Sequence, residues 1–465
     1  MASKAKSVLK AQNSAELLSY IINVTPELRE NIDLPKQGES IEPIGKIIVN
    51  NQRYRNAFIN TVNLIGLTVI KRNGWENPWD FTKRGELSFG QQIREIVNDL
   101  CNVYDYNKEF DTKDGFLKTA VPNVFNYIHE VNFQKFYKTT TSDSQIAMAF
   151  INEDSLFSFI DDCISMLYES LQYDTFIVDK YMLCRRILDG TMTSINISNF
   201  ENKTTREIVA DMKNISNKMT FRSNKYNPAA IRRATSFDNQ ITIVNTEFDS
   251  KITTEVLATS YFRNDAEMKT QLKLIDSFAE HDTERLKELL LDAYEEFTED
   301  EIAQLKTIPS VIVSREWFMD YDYLLDTQSS TKQTEFYNPA TLENNHFLHA
   351  WRVFSTSPFE NAAVFTSDVP SVVNITLNPS ESSISAGQSL QLTANVETNG
   401  FANKAVIYSI TKNDGEKEGK VTVDQNGLVK IPSDYDTTKE APQLQITATS
   451  IYDNTKTAVA SITVL

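Results

Sequence analysis

Asp320-Tyr321-Asp322 is the stretch whose residue types and spacing come nearest to catalytic chemistry. On a β-strand, residues two apart share a face, so both carboxylates could chelate a divalent cation. The same DxD pattern holds a metal–nucleotide complex in many glycosyltransferases. No nucleotide-binding unit precedes it here, and short acidic triplets arise often by chance, so the pair reads as structural or solvent-facing. Of the four histidines only His346 and His349 are close, and two histidines three apart without Cys or acidic companions make a poor metal set. His349, near Trp351, reads as a packed or interface residue, and Asp161-Asp162 as the wet face of a helix. The stretch Gly415–Val421 (GEKEGKV) is too short for a phosphate loop and lacks the Ser/Thr after lysine. There is no GxSxG, HExxH or GxGxxG. No catalytic residue, cofactor or metal is expected, and the chain does not read as an enzyme.

The elements that would have to position such residues are those of a large acidic protein. At 465 residues the chain exceeds what one hydrophobic core supports, so two or more domains are expected. Only 13 glycines occur, against a usual share of roughly 7%, which argues against Gly-rich phosphate loops and collagen-like repeats. The apolar run Leu64–Ile70 falls far short of the roughly 20 residues a membrane span needs, and no secretory signal is visible. Cys101, Cys163 and Cys184 are widely spaced and odd in number, the pattern of reduced thiols in a cytosolic protein. The net charge of −17 opposes long-range steering toward nucleic acid. Residues 368–465 hold 11 acids and 7 bases, so both parts of the chain are acidic.

The texture changes after Phe365-Thr366-Ser367-Asp368-Val369-Pro370. Seven short alternating segments follow, at Val372–Leu377, Ser389–Val396, Ala405–Ile410, Val421–Val423, Leu428–Ile431, Leu444–Ser450 and Ala458–Val464. Their number and spacing predict an immunoglobulin-like β-sandwich, with Asn426-Gly427 as its clearest hairpin turn. Upstream, Leu156, Ile160, Cys163, Leu167 and Leu171 form one stripe of a long helix over Asp154–Gly190. Shorter helices are predicted at Arg206–Ser216 and Thr283–Phe297, and strands at Gln240–Asn245 and Ser310–Val313. Residues 66–96 read as a long two-stranded loop with a polar, aromatic tip, able to reach beyond its own domain. From the spacing alone, an ordinary surface hairpin is the favoured reading.

These segments also carry resemblances. VVNITLNPSESSISAGQSLQLTANV, AVIYSI, VTVDQNGLV and LQITATS before ITVL resemble, in order, the bacterial immunoglobulin-like group 2 module, with Tyr408 where tryptophan is common. GLTVIKRNGWENPWDFTKRGELSFGQQIREI (66–96), VPNVFNYIHEVNFQKFY (121–137), SREWFMDYDYLL (314–325) and FLHAWRVFSTSPFENAAVFTSDVPSV (347–372) resemble the major capsid proteins of small phi-29-like podophages. In the last run the matching residues include His349, Trp351, Phe359, Asn361, Ala362 and Asp368-Val369-Pro370.

What the resemblance implies is an α+β capsid fold of the Hong Kong 97 type. Residues 1–367 would divide into an N-terminal arm (1–60), an extended loop (61–100), a peripheral domain (101–200 and 325–367) and an axial domain (201–324), with the Ig-like module at 368–465. The implied function is a major capsid protein whose pentamers and hexamers close an icosahedral or elongated head around double-stranded DNA. The implied partners are further copies, a scaffolding protein, a portal or connector at one vertex, packaged DNA bound without sequence readout, and a host surface for the sandwich, with no membrane. The shell would be assembled in the host cytoplasm and carried in the virion. Lys71, Arg72, Lys83 and Arg84 are expected as charged grips between subunits, and Trp75, Trp79 and Phe81 as apolar anchors. The alternative for these residues is packing of the loop against its own chain. The alternative function is an Ig-like adhesion protein of a cell surface or virion, including a tail tube component.

Overall fold

The computed structural model describes residues 18–19, 21–23, 25–34, 41–51, 53–55, 57–58, 75–88, 92–101, 103, 124–142, 166–197, 200–255, 271–323, 331–338, 340–341, 343–412, 421–424, 426–433, 435 and 443–465. Two five-stranded sheets organise the part before residue 367. One is built from β1 (Lys83–Leu87), β4 (Phe133–Ser142), β9 (Asp320–Tyr323), β10 (Thr331–Asn338) and β11 (Glu343–Val353). In it β1 runs parallel to β9, while β11 pairs antiparallel with β4, β9 and β10. A separate ribbon pairs β2 (Ile93–Asn98) with β3 (Val124–His129).

The other sheet has the order β5 (Thr193–Asn196), β12 (Ala362–Thr366), β8 (Ser310–Ser314), β6 (Gln240–Asn245), β7 (Leu272–Ile275). Alternation along its buried strands decides what each face meets. Ile241, Ile243, Val311, Val313, Ala362 and Val364 join one cluster, whereas Val244, Ile312, Ala363 and Phe365 join another. The first cluster is completed by the long helix Met166–Leu188 and by the helices Thr283–Leu290 and Glu299–Lys306; the second by the helices Thr205–Met219 and Thr246–Glu255. In chain order, after the short helices α1 (Pro26–Arg29) and α2 (Glu42–Asn50), these are α3 (166–188), α4 (205–219), α5 (246–255), α6 (283–290) and α7 (299–306). The result is a helix–sheet–helix layering with α3, α6 and α7 on one face and α4 and α5 on the other.

Local chemistry sets the helix starts. Thr204 and Glu207 close a capping box on α4, Thr298 and Glu301 do so on α7, and Asp282 caps α6. The helix expected over Thr283–Phe297 stops earlier, at Leu290, where Leu291 takes a φ of 50°. The first third of the helix expected from Asp154, with Leu156, Ile160, Asp161-Asp162 and Cys163, lies outside the described residues; Leu167 and Leu171 are buried as its stripe requires. Cys184 is buried on α3, and burial pushes its thiol up to about 12.

From Ser371 onward the regular elements among the described residues are all strands, β13 to β21, and among the described residues these pair with one another. Six of the seven expected segments form as single strands, β13, β17, β18, β19, β20 and β21, with bounds differing by a few residues. Ser389–Val396 is split into β15 (Ser389–Gln391) and β16 (Thr393–Asn399), and β14 (Glu381–Ile384) is an addition. At the expected hairpin, Gly427 has a φ of 83° and a side chain there would collide with the Leu392 carbonyl. Only glycine fits that turn. The loop between β16 and β17 (Val406–Lys412) leaves this layer: Phe401 is fully buried in the cluster around α3 and β8.

Candidate functional site

The root of the loop begins as an aromatic problem. In Trp75-Glu76-Asn77-Pro78-Trp79 the Asn77 side chain accepts from Trp79 N at 2.8 Å, turning the chain inward. Trp79 is fully buried, and its indole N–H donates to Leu274 O at 2.9 Å, so the ring is buried without an orphaned donor. Phe176 of α3 stands edge-on at 5.4 Å, with Phe81 and Phe318 at 6.0 Å. Trp75 meets Phe176 at 5.8 Å and Tyr173 at 6.1 Å, yet remains 45% exposed.

Beneath these rings lies an acidic core. Thr82, at the end of the short turn Asp80–Thr82, donates to Asp179 Oδ2 on α3 at 2.9 Å. Asp320 on β9 faces Asp179, and a cavity of about 60 Å³ beside them is lined by Asn77, Thr82, Asp320, Asp322 and Arg352. Neither Asp320 oxygen meets a donor among the described residues, and Asp179 Oδ1 meets none either. Two buried carboxylates side by side are costly, and a retained proton lowers that cost. Burial pushes Asp179 up to about 7; burial and the Asp179 carboxyl push Asp320 well above the usual range.

Asp322, the other acid of the triplet, is neutralised instead. Arg352 Nε lies 2.7 Å from Asp322 Oδ1, and Lys83 pairs with Oδ2. A second buried acid, Asp174 on α3, receives both arms of Arg285 at 2.9 Å and the Tyr137 hydroxyl at 2.7 Å. Burial, followed by the Asp174 charge, drives the Tyr137 hydroxyl to a raised pKa. Among the described residues no group of three His, Cys, Asp or Glu is placed to hold a metal. The arrangement binds β1 to α3, β9 and β11 and can hold a proton; its chemistry is cohesion.

The expected loop residues separate. Trp75, Trp79 and Phe81 converge on α3 and Phe318, and Trp79 is fully buried within its own chain, the alternative given for these residues. Lys83 is ion-paired to Asp322, and Arg84 reaches Glu316 at 3.2 Å and Arg315 O at 3.3 Å. Lys71 and Arg72 lie outside the described residues, as does the first arm of the loop; the return arm is β1, which pairs with β9. His346 and His349 sit on β11, bonded to Thr141 and Thr334 at 2.9 and 3.0 Å. Asp174, Asp179, Arg285 and Arg352 were missed. Asp174 follows Leu167 and Leu171 at the spacing of the apolar stripe, and an acid on a buried stripe was the available signal.

A loop root so heavily braced suits a protein that carries mechanical load, and the relatives give it a name. Residues 21–366 match the family described as Phi29-like phage major capsid protein. The chain belongs to that family. As a phage major capsid protein it forms the head shell and is part of the virion. The major capsid protein of Bacillus phage PZA is 26% identical over 417 residues, covering 88% of this chain and 84% of the relative. That of Streptococcus phage Cp-1 is 22% identical over 325 residues, covering 67% and 82%. A chain in the capsid structure of Staphylococcus phage Andhra superposes with a TM-score of 0.50 at 12% identity, covering 65% of this chain and 87% of that one, which shows a shared fold. In this capsid protein the junction of β1, α3 and β9 is held by buried aromatic rings, the Asp322–Arg352 pair and the Asp179–Asp320 carboxyls.

Proposed function

We propose that this capsid protein builds the head as a Hong Kong 97-type subunit closing in pentamers and hexamers, with the loop as the reach between neighbours. In this reading a scaffolding protein guides assembly, a portal occupies one vertex, and double-stranded DNA is enclosed without sequence readout. Residues 1–367 act as the shell body in the four parts named above, and 368–465 act as an Ig-like group 2 module bracing contacts between capsomers from outside. The observation that carries the loop's role is Trp75: half-exposed at the rim of a braced root, it offers the apolar area that Trp79 keeps inside. Phe401 supports bracing, since a module plugged into the body's core transmits force where a flexible tether would not.

The test is negative-stain electron microscopy of the protein expressed with a scaffolding protein, wild type beside Trp75→Ala. Closed shells with five- and six-membered rings for the wild type, and stalled rings or monomers for the variant, are expected. Wild-type-like shells from Trp75→Ala would remove the loop rim from the interface.

A further inference from the structure

The acidity of this chain is not spread evenly over the helix–sheet–helix body. Residues 203–235, comprising α4 and the loop after it, contain eight Lys and Arg but only two Asp and Glu. Residues 276–301, comprising α6 and the start of α7, contain eleven Asp and Glu but only two Arg and Lys. In a protein of net charge −17, a segment that carries an excess of six positive charges is a local reversal of sign.

Topology places the two segments apart. α4 packs on the sheet face that presents Ile312 and Phe365, whereas α6 and α7 pack on the face that presents Val311 and Val313. The basic and acidic layers are therefore on opposite sides of one sheet. Part of each charge is internally matched: Lys203 pairs with Asp211, Arg232 with Asp99, Arg233 with Glu360, and Lys287 with Glu296. A remainder is not. Arg206, Lys218, Arg222 and Lys225 are exposed with no ion-pair partner among the described residues, and so are Glu280, Glu284, Asp292, Glu299 and Asp300. On the basic side a cleft of about 480 Å³ is lined by Arg222, Arg232 and Arg233 together with Glu316 and Glu360; Arg232 and Arg233 are ion-paired, which leaves Arg222 as the cleft cation without a partner among the described residues.

We propose that these two faces are the halves of one interface: the acidic α6–α7 face of one copy docks on the basic α4 face of the next, its carboxylates directed at Arg222 and the neighbouring cleft. The inference rests on the reading of the shell as closed rings of identical copies. Each face repels its own kind and attracts the other, so two-fold, like-to-like pairing is disfavoured and head-to-tail pairing is selected. Head-to-tail contact closes a ring when the rotation between copies allows it. The pairs are solvent-exposed, so their contribution falls as salt rises past the physiological screening length of roughly 8 Å.

The experiment reverses charge on one face at a time, at positions outside α4, α6 and α7. Arg222→Glu with Lys225→Glu turns the edge of the cleft from basic to acidic; Glu280→Lys with Asp292→Lys turns two exposed, unpartnered positions of the opposite face from acidic to basic. Assembly with scaffolding protein is followed by sedimentation and negative-stain microscopy, and folding by thermal melting of the unassembled chain. Each double variant is expected to melt as the wild type does and to lose at least tenfold in shell yield. Mixed in equal amounts they should alternate, closing six-membered rings but not five-membered ones, since alternation cannot close on an odd number. A chain carrying all four changes should recover closed shells. Wild-type yield from either double variant, or a folded four-fold variant that makes no shells, overturns the pairing. Unaltered assembly with weakened DNA retention by the Arg222/Lys225 variant also overturns it, in favour of a contact with packaged duplex. Wild-type shells in the same preparation that lacked five- and six-membered rings would instead strike at the reading beneath it.

Discussion

Gly190 accepts a hydrogen bond from Lys404 N through its carbonyl at 3.1 Å, and a Cβ added to Gly190 would stand 2.5 Å from Ala402 O. Gly190 ends α3 with a φ of 69°, so it meets both demands on glycine at once, a left-handed backbone and a close approach. Next to it, Asn403 donates to Thr193 Oγ1 at 3.3 Å and Phe401 enters the body's core. Gly190→Ala is therefore expected to destabilise by more than the roughly 1–2 kcal/mol of a left-handed alanine, because the Ala402–Lys404 loop must also retreat. Gly85→Ala is the control: its nearest atoms lie at 3.6 and 3.8 Å, ordinary contact distances. Thermal melts should show a clear drop for the first and little change for the second. Equal melting temperatures would mean that the docking loop yields without cost.

Asp179 and Asp320 make stability depend on pH in one direction. Both carboxyls hold their protons more tightly when folded than when unfolded. The folded state binds more protons once the unfolded carboxyls have ionised, so stability falls from about pH 4 upward; the Asp179 part of the loss is complete just above about 7, and the Asp320 part ends where that carboxyl ionises in turn. The Thr82 hydroxyl and the charge of Arg352 moderate the shift of Asp179 without abolishing it. Asp320→Asn keeps the shape and removes one titration. Its melting temperature is expected to gain on that of the wild type steadily from pH 5 to 8, because the retained Asp320 proton costs the wild type up to about 1.4 kcal/mol per pH unit in that range. Parallel curves for the two proteins from pH 5 to 8 would show that the pair does not control this range.

The two tryptophans of the loop root should part company on mutation. Trp79→Ala removes a fully buried ring and leaves Leu274 O without its donor, so a loss of about 3–5 kcal/mol is expected in the unassembled chain. Trp75→Ala trims a side chain that is 45% exposed and should cost under about 1 kcal/mol, with its effect confined to assembly. Denaturant melts beside shell yields measure the two effects separately. A Trp75→Ala chain as unstable as Trp79→Ala would make both rings structural.

How much of this was legible beforehand depends on whether a feature is local. The turn at Asn426-Gly427, the strands expected at Gln240–Asn245 and Ser310–Val313, and the helix expected at Arg206–Ser216 follow from periodicity and turn chemistry, which neighbouring residues decide. Trp75 and Trp79 look alike in sequence, but their different burial depends on α3 and on Leu274, nearly 200 positions away. Asp320 and Asp322 read as a symmetrical pair, although one faces another acid and the other faces Arg352 and Lys83. That asymmetry arises from the pairing of β9 with β1 and β11, which no spacing rule predicts. The sign reversal at residues 203–235 was open to counting all along; halves of a chain were too coarse a window to find it.

Asp174 and Arg285 should behave as one unit. Asp174 is fully buried and takes both guanidinium arms plus the Tyr137 hydroxyl, so it ties α3 to α6 and to β4. Arg285→Ala strands that carboxylate, and the expected loss is about 3–5 kcal/mol, the usual result of breaking a buried pair from one side. The partly exposed flank of Arg285 admits some water and places the value toward the lower end. Asp174→Asn alone should cost less, since an amide tolerates burial and still accepts from Tyr137. Combining the two substitutions should then cost clearly less than their sum, because the neutral amide no longer needs the arginine. Denaturant titration of the four proteins yields the coupling directly. Strict additivity would mean that solvent already screens the pair and that α6 is held to α3 by other contacts, among them Leu286, Leu289 and the Tyr173–Asp282 hydrogen bond.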